Sequence, residues 1–195
     1  MSVDAGLQRF ADLLVKWNAA QNLVSRETIG ELWPRHIADS VQLAPLLRDS
    51  DRHVLDIGSG GGFPALPLAI ATRGRGLSFV LVEPIAKKGA FLRTVARELD
   101  LPVHVHTMRI EQFDSRETVD VITARALAPL LDLFQMMQRF ASPKTRFLLH
   151  KGRNYRAEVD SAAAHFDFDM LSHPSTTDAE GVILEISNLR AKSAT

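Results

Sequence analysis

Cysteine is absent from this chain of 195 residues. Its absence excludes disulfide bonds, thiolate metal sites and any mechanism that needs a cysteine nucleophile, and we predict no metal site. The sequence also lacks the roughly 18 uninterrupted apolar residues of a membrane span. The first residues lack the basic and apolar regions of a secretory signal. We therefore expect a cytoplasmic protein with no membrane partner.

An excess of either charge is missing as well, because 23 Lys and Arg residues balance 23 Asp and Glu residues. A neutral chain has no long-range positive field, so any contact with RNA must come from local basic patches. Basic residues gather in residues 87–97 and again in residues 144–156. Charge alone is equally consistent with ordinary solvated ends of helices and strands.

Hydrophobic residues make up 46% of the chain, which is enough to bury one substantial core. We therefore expect one domain over residues 1–195, with an N-terminal helical extension (1–50) and a Rossmann-like core (51–195). Apolar residues recur at helical spacing near the N-terminus, and a second helix is predicted over residues 31–47.

Short apolar runs alternate with helical segments in the core, a pattern typical of βα units and a parallel sheet. The predicted strands of this sheet are residues 53–57, 78–83, 103–107, 119–124 and 146–151. Two further runs, residues 166–171 and 181–186, predict an antiparallel hairpin at the sheet edge. The predicted fold class is α/β, a Rossmann-like, mostly parallel sheet.

A glycine-rich turn directly after the first predicted strand is the most informative segment. Four of the five residues from Gly58 to Gly62 are glycine, so the backbone can adopt positive φ and a ligand can approach without meeting a Cβ atom. Pro64 follows where a helix is expected to begin, which would point the amino end of that helix at the ligand. We interpret Gly58 and Gly60 as ligand-binding residues, and a purely structural turn is the alternative.

The second predicted strand ends in Glu83, at the spacing of a βαβ crossover. A carboxylate at this place can accept hydrogen bonds from both hydroxyl groups of a ribose. The alternative is that Glu83 only caps the next helix.

Two classes of cofactor fit the turn and its acid. A dinucleotide such as NAD is compatible, because Gly60, Gly62 and Ala65 satisfy the G-x-G-x-x-A spacing. S-adenosylmethionine is favoured, because Asp56 precedes a G-x-G-x-G arrangement that is the usual first motif of methyltransferases using this cofactor. We expect Asp56 either to order the turn or to hold a water near the cofactor.

Several segments together resemble the RsmG (GidB) family of ribosomal RNA guanine-N7 methyltransferases across nearly the whole chain. They are WNAAQNLVS (17–25), RHIADS (35–40), DIGSGGGFP (56–64), RIEQF (109–113), ARALA (124–128) and HKG (150–152). Ala65, in place of a common glycine, and the loose basic helix start AKKGAFL (86–92) depart from the family pattern.

The resemblance implies a class I S-adenosylmethionine-dependent methyltransferase acting on N7 of a guanine in 16S ribosomal RNA. The substrate would be the small subunit or an assembly intermediate, with no obligate protein partner. Cofactor contacts are implied for Gly58, Phe63, Ile110, Glu111 and Arg125, although Glu111 could instead cap a helix.

Catalytic roles are implied for Arg125 and Lys151, next to the predicted fourth and fifth strands. The residues that we expect to hold RNA are Arg35, His36, Arg109, Lys151 and Arg153. For Lys151 and Arg153, contact with phosphate or with solvent alone is an open alternative.

Guanine N7 has an in-plane lone pair and no proton at neutral pH, so methyl transfer to it needs alignment rather than a general base. Methylation at pyrimidine C5 through a covalent adduct would need the missing cysteine. The chain also has ARALAP where enzymes acting on exocyclic amines carry N-P-P-Y or D-P-P-Y. The remaining alternatives are a related methyltransferase with another RNA or small-molecule acceptor, a non-catalytic ribosome-assembly factor and an NAD-binding oxidoreductase.

Overall fold

The computed structural model of the chain describes residues 1–25, 27–115 and 118–193. Its strands are β1 (His53–Ile57), β2 (Ser78–Val82), β3 (Val103–His106), β4 (Val121–Arg125), β5 (Arg146–Lys151), β6 (Phe166–Pro174) and β7 (Val182–Ala191). Its α-helices are α1 (Val3–Gln21), α2 (Asp39–Val41), α3 (Ala65–Ala71), α4 (Ala86–Glu98), α5 (Leu130–Met137) and α6 (Tyr155–Ala163). None of the helices in the described ranges has the length and apolar character to cross a membrane.

The described strands form one seven-stranded sheet in the order β3-β2-β1-β4-β5-β7-β6. Strands β1 to β5 pair in parallel, whereas β7 is antiparallel to both β5 and β6. The predicted Rossmann-like class with an antiparallel C-terminal edge hairpin is confirmed. The hairpin strands extend beyond the predicted runs. The end of β6, up to Pro174, pairs with the start of β7, and β7 continues to pair with β6 up to Ala191, past the point where it leaves β5.

The topology determines where a ligand can bind. The strand order reverses direction between β1 and β4, and in open α/β sheets the crevice at the carboxyl ends of such strands holds the ligand. Because β7 runs antiparallel to β5, the loop that precedes β7 lies at this same carboxyl edge. Four segments therefore converge there: the turn after β1, the end of β4, the end of β5, and the β6–β7 loop.

Helices cover both faces of the sheet. Adjacent residues of β1 point to opposite faces, so Val54 joins one hydrophobic cluster and Leu55 joins the other. The first cluster includes α1, whose Phe10 ring lies 5.4 Å from the ring of Phe63 and 6.4 Å from that of Phe91. Burying a side chain of this size contributes about 1.5–3 kcal/mol, so this packing fixes the N-terminal extension against the glycine turn and α4.

Residues 29–46 are less regular than the single helix predicted over residues 31–47, and that prediction is wrong in detail. A 3-10 turn (Ile29–Glu31), a π-helix (Trp33–Ala38), α2 and a second 3-10 turn (Ala44–Leu46) follow one another. Prolines occupy the first turns of the π-helix and of the second 3-10 turn, and proline cannot donate a backbone hydrogen bond. π-Helical turns are frequent at functional sites, and this one precedes residues that reach the carboxyl edge.

A buried ion cluster ties the extension to the sheet at the opposite, amino edge. The guanidinium of Arg146, at the start of β5, lies 2.6 Å from Asp51 and 3.0 Å from Glu185, and it donates to the carbonyl of Leu46. Burial by itself would raise the pKa of Glu185, but hydrogen bonds from Arg146 and His173 outweigh it and hold this pKa below its usual value. Glu185 is therefore charged at neutral pH.

Replacing Arg146 by methionine should lower the free energy of unfolding by about 3–5 kcal/mol, because Asp51 would lose its guanidinium partner at a site that is only 3% exposed, while Glu185 would keep His173. Urea denaturation measures the change. Arg153→Met is the matched control, because Arg153 pairs with Glu180 in a 75% exposed position and such a pair contributes at most about 1 kcal/mol. Equal losses in the two variants would contradict the assignment.

Candidate active site

The glycine turn after β1 has a backbone that larger residues adopt only with strain. Gly58 has φ +69° and Gly62 has φ +92°. A Cβ atom added at Gly58 would lie 2.7 Å from the side chain of Leu127, and one added at Gly62 would lie 2.5 Å from that of Leu66. Glycine is therefore required both by conformation and by the close approach of neighbouring side chains.

Glu83, directly after β2, is 3% exposed and fastens the turn. One carboxylate oxygen accepts a hydrogen bond from the backbone N–H of Gly60 at 2.8 Å, and the other accepts from the N–H of Ile85 at 2.9 Å. Ile85 is the residue that caps α4, so the helix-capping alternative also holds in part. A carboxylate has about four acceptor positions, so two remain for a ligand.

A cavity of about 390 Å³ opens in front of the turn, and we call it the cofactor cavity because five of the predicted cofactor residues line it. Its walls bring together the predicted cofactor residues Gly58, Gly60, Phe63, Glu83 and Arg125 and the predicted RNA residue His36. Two partly exposed apolar side chains, Ile85 and Leu127, also line it. The donor and acceptor groups, the open glycine cradle and the apolar walls fit a nucleoside with an apolar or sulfonium-bearing arm.

Asp56, the fourth residue of β1, lies beneath the turn and is fully buried. One of its carboxylate oxygens accepts a hydrogen bond from the hydroxyl of Thr123 at 2.7 Å, and the other has no partner among the described residues. Burial raises the pKa of Asp56 from 3.8 to about 7, against the opposing hydrogen bonds of Ser59 and Thr123. The bond to Thr123 ties β1 to β4, and both expected roles of Asp56, ordering the turn and holding a water, stay predictions.

Arg125 ends β4 and is held on three sides. Its guanidinium lies 3.0 Å from a carboxylate oxygen of Asp39, donates a short hydrogen bond to Nδ1 of His36, and sits 5.3 Å from the centre of the Phe63 ring. Burial, followed by the charge of Arg125, lowers the pKa of His36 to about 4, so the imidazole is neutral and its Nδ1 accepts. The side chain of Arg125 is 15% exposed and has one fixed orientation.

Asp39 is a central residue of the site that the sequence analysis did not select. Its second carboxylate oxygen accepts hydrogen bonds from Gln42 at 2.7 Å and from Thr177 of the β6–β7 loop at 2.9 Å. Its backbone carbonyl accepts a hydrogen bond from Nε2 of His150 at 2.9 Å. One signal was available: Asp39 follows His36 by three residues, which places the two on one face of a helical turn.

Lys151, at the end of β5, does not reach the cofactor cavity. Its ammonium group lies 2.7 Å from Glu158, donates to the carbonyl of Ala128 at 2.8 Å, and belongs to a side chain that is 7% exposed. Two of its three donors are therefore used within the protein. This placement favours a role in holding the segment after β4, and the residue also lines a second cavity beside the first.

The remaining predicted residues lie outside the cofactor cavity. Ile110 is buried in the second hydrophobic cluster, whereas Glu111 and Arg109 are exposed. Arg35 is 57% exposed with its guanidinium 3.4 Å from Glu31. Arg153 is 75% exposed and pairs with an acid of the β6–β7 loop.

The chain was compared with protein families and curated proteins. A family model described as GidB, rRNA small subunit methyltransferase G, matches residues 4–186. The ribosomal RNA small subunit methyltransferase G of Brucella ovis is 50% identical over 94% of this chain and 86% of its own length. The protein of the same name from Brucella abortus (strain S19) is 49% identical with the same coverage of both chains.

Solved structures with similar folds include an O-methyltransferase from Bacillus cereus in complex with SAH. Its TM-score is 0.62 at 18% identity, covering 92% of this chain and 91% of that one. A ribosomal protein L11 methylase from Lactobacillus delbrueckii subsp. bulgaricus gives a TM-score of 0.59 at 20% identity and covers 76% of each chain. Likeness at this level of identity shows the fold alone.

Gly58→Ala should raise the dissociation constant for S-adenosylmethionine by at least about tenfold, because the added methyl group strains φ and pushes Leu127 into the cavity. Isothermal titration calorimetry measures this. Gly74→Ala is the matched control: φ is +85° there, and no atom lies within 4 Å of the added Cβ. Its affinity should equal that of the wild type, and equal weakening by both substitutions would assign the effect to backbone strain instead.

Asp56→Asn should change how stability depends on pH. Because the pKa of Asp56 is raised to about 7 by folding, the folded wild-type protein binds this proton more tightly, and the proton's stabilising effect is lost as the pH rises from about 4 through about 7. The unfolding free energy of the wild type minus that of Asp56→Asn should therefore decline over this window in urea titrations. His36 contributes the opposite slope below about pH 6.5 in both proteins and cancels in the difference. A constant difference would contradict the buried, proton-binding carboxyl.

Proposed function

The chain belongs to the GidB family, rRNA small subunit methyltransferase G, and we infer that it transfers a methyl group from S-adenosyl-L-methionine to N7 of a guanine in 16S ribosomal RNA. The observation that carries this function is the meeting of the glycine turn, Glu83 and Arg125 in one cavity at the carboxyl edge of the sheet. The N7 position follows from the resemblance of six separate segments to this family.

S-adenosyl-L-methionine supplies an activated methyl group when it is bound. Gly58 and Gly60 leave the backbone open to it, and the free acceptor positions of Glu83 suit the ribose hydroxyl groups. Phe63 supplies an aromatic wall that also stacks on Arg125. Membership of the family favours this cofactor over the dinucleotide that the glycine spacing also allows.

Ile110 and Glu111 stay predicted neighbours of the adenine. Ile110 is 8% exposed, and the carbonyl of Glu111 accepts a hydrogen bond from Arg139 at 2.9 Å. Contact with either residue requires the adenine to extend past Glu83 toward the end of β3, outside the walls of the described cavity. For Glu111, a structural role in the first turn of the 3-10 helix Ile110–Gln112 is the simpler assignment.

Alignment is the main demand that N7 chemistry makes on this chain, because the attacking lone pair needs no base. Arg125 suits that demand, since Asp39, His36 and Phe63 hold it in one orientation at the wall of the cavity. A bidentate contact of Arg125 with guanine O6 and N7 would occupy the lone pair that must attack, so any contact with the base goes to O6 only. Lys151 acts by fixing the segment that follows Arg125.

RNA contacts are assigned to the exposed basic residues Arg35, Arg109 and Arg153, which can reach phosphate groups. His36 is half-buried and bonded to Arg125, so we assign it to the support of that side chain. We propose that residues 1–195 act as one domain in the cytoplasm, without an obligate protein partner. The substrate is the small ribosomal subunit or an assembly intermediate, with the target guanine outside regular A-form helix, where N7 lies in a deep, narrow groove.

The protein is incubated with labelled S-adenosylmethionine and with small subunits from a strain lacking the gene. This reaction should give N7-methylguanine at one position. Borohydride reduction and aniline cleavage map that position. Arg125→Ala should lower kcat by about a hundredfold, because loss of this side chain misaligns the site. Arg153→Ala should leave kcat unchanged and raise KM in a way that higher salt diminishes, as expected of a phosphate contact.

Naked 16S ribosomal RNA assayed in parallel separates the possible substrates. Label confined to subunits would support an assembled substrate, and label in both would support recognition of the RNA alone. Label at a different atom or in another molecule would support the related methyltransferase instead. An absence of label in any ribosomal RNA, with the cofactor bound, would contradict the proposed function.

A further inference from the structure

A second cavity, of about 500 Å³, adjoins the cofactor cavity at the carboxyl edge. Arg125 and Ala126 line both, so the two cavities share a wall at the end of β4. The second cavity is bounded further by Asp39, by His150 and by the β6–β7 loop. Its volume lies in the range of about 300–1,000 Å³ that is typical of pockets for small organic groups.

The sheet register places the two cavities side by side. His150 of β5 lies directly opposite Arg125 of β4, one strand further from the glycine turn. Neighbouring strands lie about 4.8 Å apart, which is comparable with the width of a purine ring system. A planar base that directs one edge at the shared wall therefore presents its opposite edge toward β5.

His150 has an unusual hydrogen-bonding state. Its Nε2 lies 2.9 Å from the carbonyl oxygen of Asp39, and because a carbonyl only accepts, Nε2 carries a proton and donates. Burial holds the pKa of His150 below its usual value, so the ring is neutral and Nδ1 is an acceptor. Nδ1 is buried and has no hydrogen-bond partner among the described residues. The side chain is 9% exposed and lines the second cavity.

An unpartnered buried acceptor on a cavity wall selects a ligand with a donor at that place. Guanine carries N7 on one side of the ring system, and its two donors, N1–H and the 2-amino group, on the other. Adenine carries an unprotonated N1 and no 2-amino group, so it would place a lone pair or no polar group against the imidazole. The wall at β5 therefore discriminates between the two purines, although both possess an N7 atom.

We propose that the second cavity holds the target guanine and that His150 determines specificity by accepting a hydrogen bond at Nδ1 from the donor edge of that base. This inference rests on the proposed function. Asp39 is the positioning residue in this arrangement, because it orients Arg125 through its carboxylate and His150 through its backbone carbonyl. The side of the base that carries N7 then faces the cofactor cavity, at the boundary where Arg125 and Ala126 line both cavities.

The test uses 16S ribosomal RNA assembled by splinted ligation, with guanosine, inosine or 2-aminopurine riboside at the target position. Inosine lacks the 2-amino group, and 2-aminopurine lacks N1–H together with O6, while all three retain N7. If His150 accepts from the 2-amino group, inosine should lower the kcat/KM of the wild type by about tenfold relative to guanosine. If it accepts from N1–H, 2-aminopurine should do so. For His150→Phe, guanosine RNA should be methylated more slowly, and that probe should cause no further loss.

The ratio of kcat/KM for probe RNA to kcat/KM for guanosine RNA is measured within one protein preparation. A reduced folded fraction of His150→Phe lowers both values equally and cancels in this ratio. His150→Asn, whose Oδ1 takes the place of Nδ1, should restore part of the discrimination. His104→Phe is the matched control, because His104 lies exposed on β3, away from both cavities, and it should keep the wild-type ratios.

Equal probe ratios in the wild type and His150→Phe would overturn the assignment of His150 while leaving the methyltransferase function intact. Failure of the wild-type protein to methylate guanosine RNA, in either naked or subunit form, would instead remove the proposed function. Loss of discrimination in His104→Phe would show that the ratio does not report on this cavity and would also overturn the inference.

Discussion

The ion pair between Asp39 and Arg125 joins the N-terminal extension to the carboxyl edge of the sheet, and both cavities depend on it. At 3.0 Å and with side chains about 15% exposed, it is a largely desolvated pair whose members cannot lose each other without leaving a buried charge. Asp39 extends the connection to the β6–β7 loop through Thr177 and to β5 through His150. The extension therefore contributes residues to the walls of both cavities.

Buried polar groups at this edge are kept neutral or paired. His36 is neutral because burial lowers its pKa to about 4, and Asp56 binds a proton up to about pH 7 because burial raises its pKa. Glu83, on the wall of the cofactor cavity, accepts hydrogen bonds from two backbone N–H groups. Such an edge supplies rigid hydrogen-bonding groups rather than groups that transfer protons. This agrees with guanine N7 as the atom that receives the methyl group, because N7 has no proton to lose.

Much of the fold and the cofactor cavity could be predicted from residues alone, because both depend on local pattern. Alternating apolar runs located all seven strands of the described residues, and the glycine turn with Glu83 at crossover spacing indicated the cavity at the carboxyl edge. The helix predicted over residues 31–47 was wrong in detail, because Pro45 lies inside that span and cannot donate the backbone hydrogen bond that a continuous helix needs there. Lys151 was selected for its position after β5, but its ammonium is directed to Glu158, a contact that no spacing rule indicates.

The sequence by itself determined the α/β fold class, the glycine turn after β1 and the place of Glu83 after β2, because these follow from backbone conformation and short-range spacing. Only the tertiary structure decided which side chains meet at the carboxyl edge. His36 and Arg125 are 89 residues apart, and Asp39 and His150 are 111 apart, so their contacts exist only after the extension packs on the sheet. Burial, which sets the charge of His36, Asp56 and His150, is likewise a property of the packed molecule, because desolvation requires neighbours from distant parts of the chain.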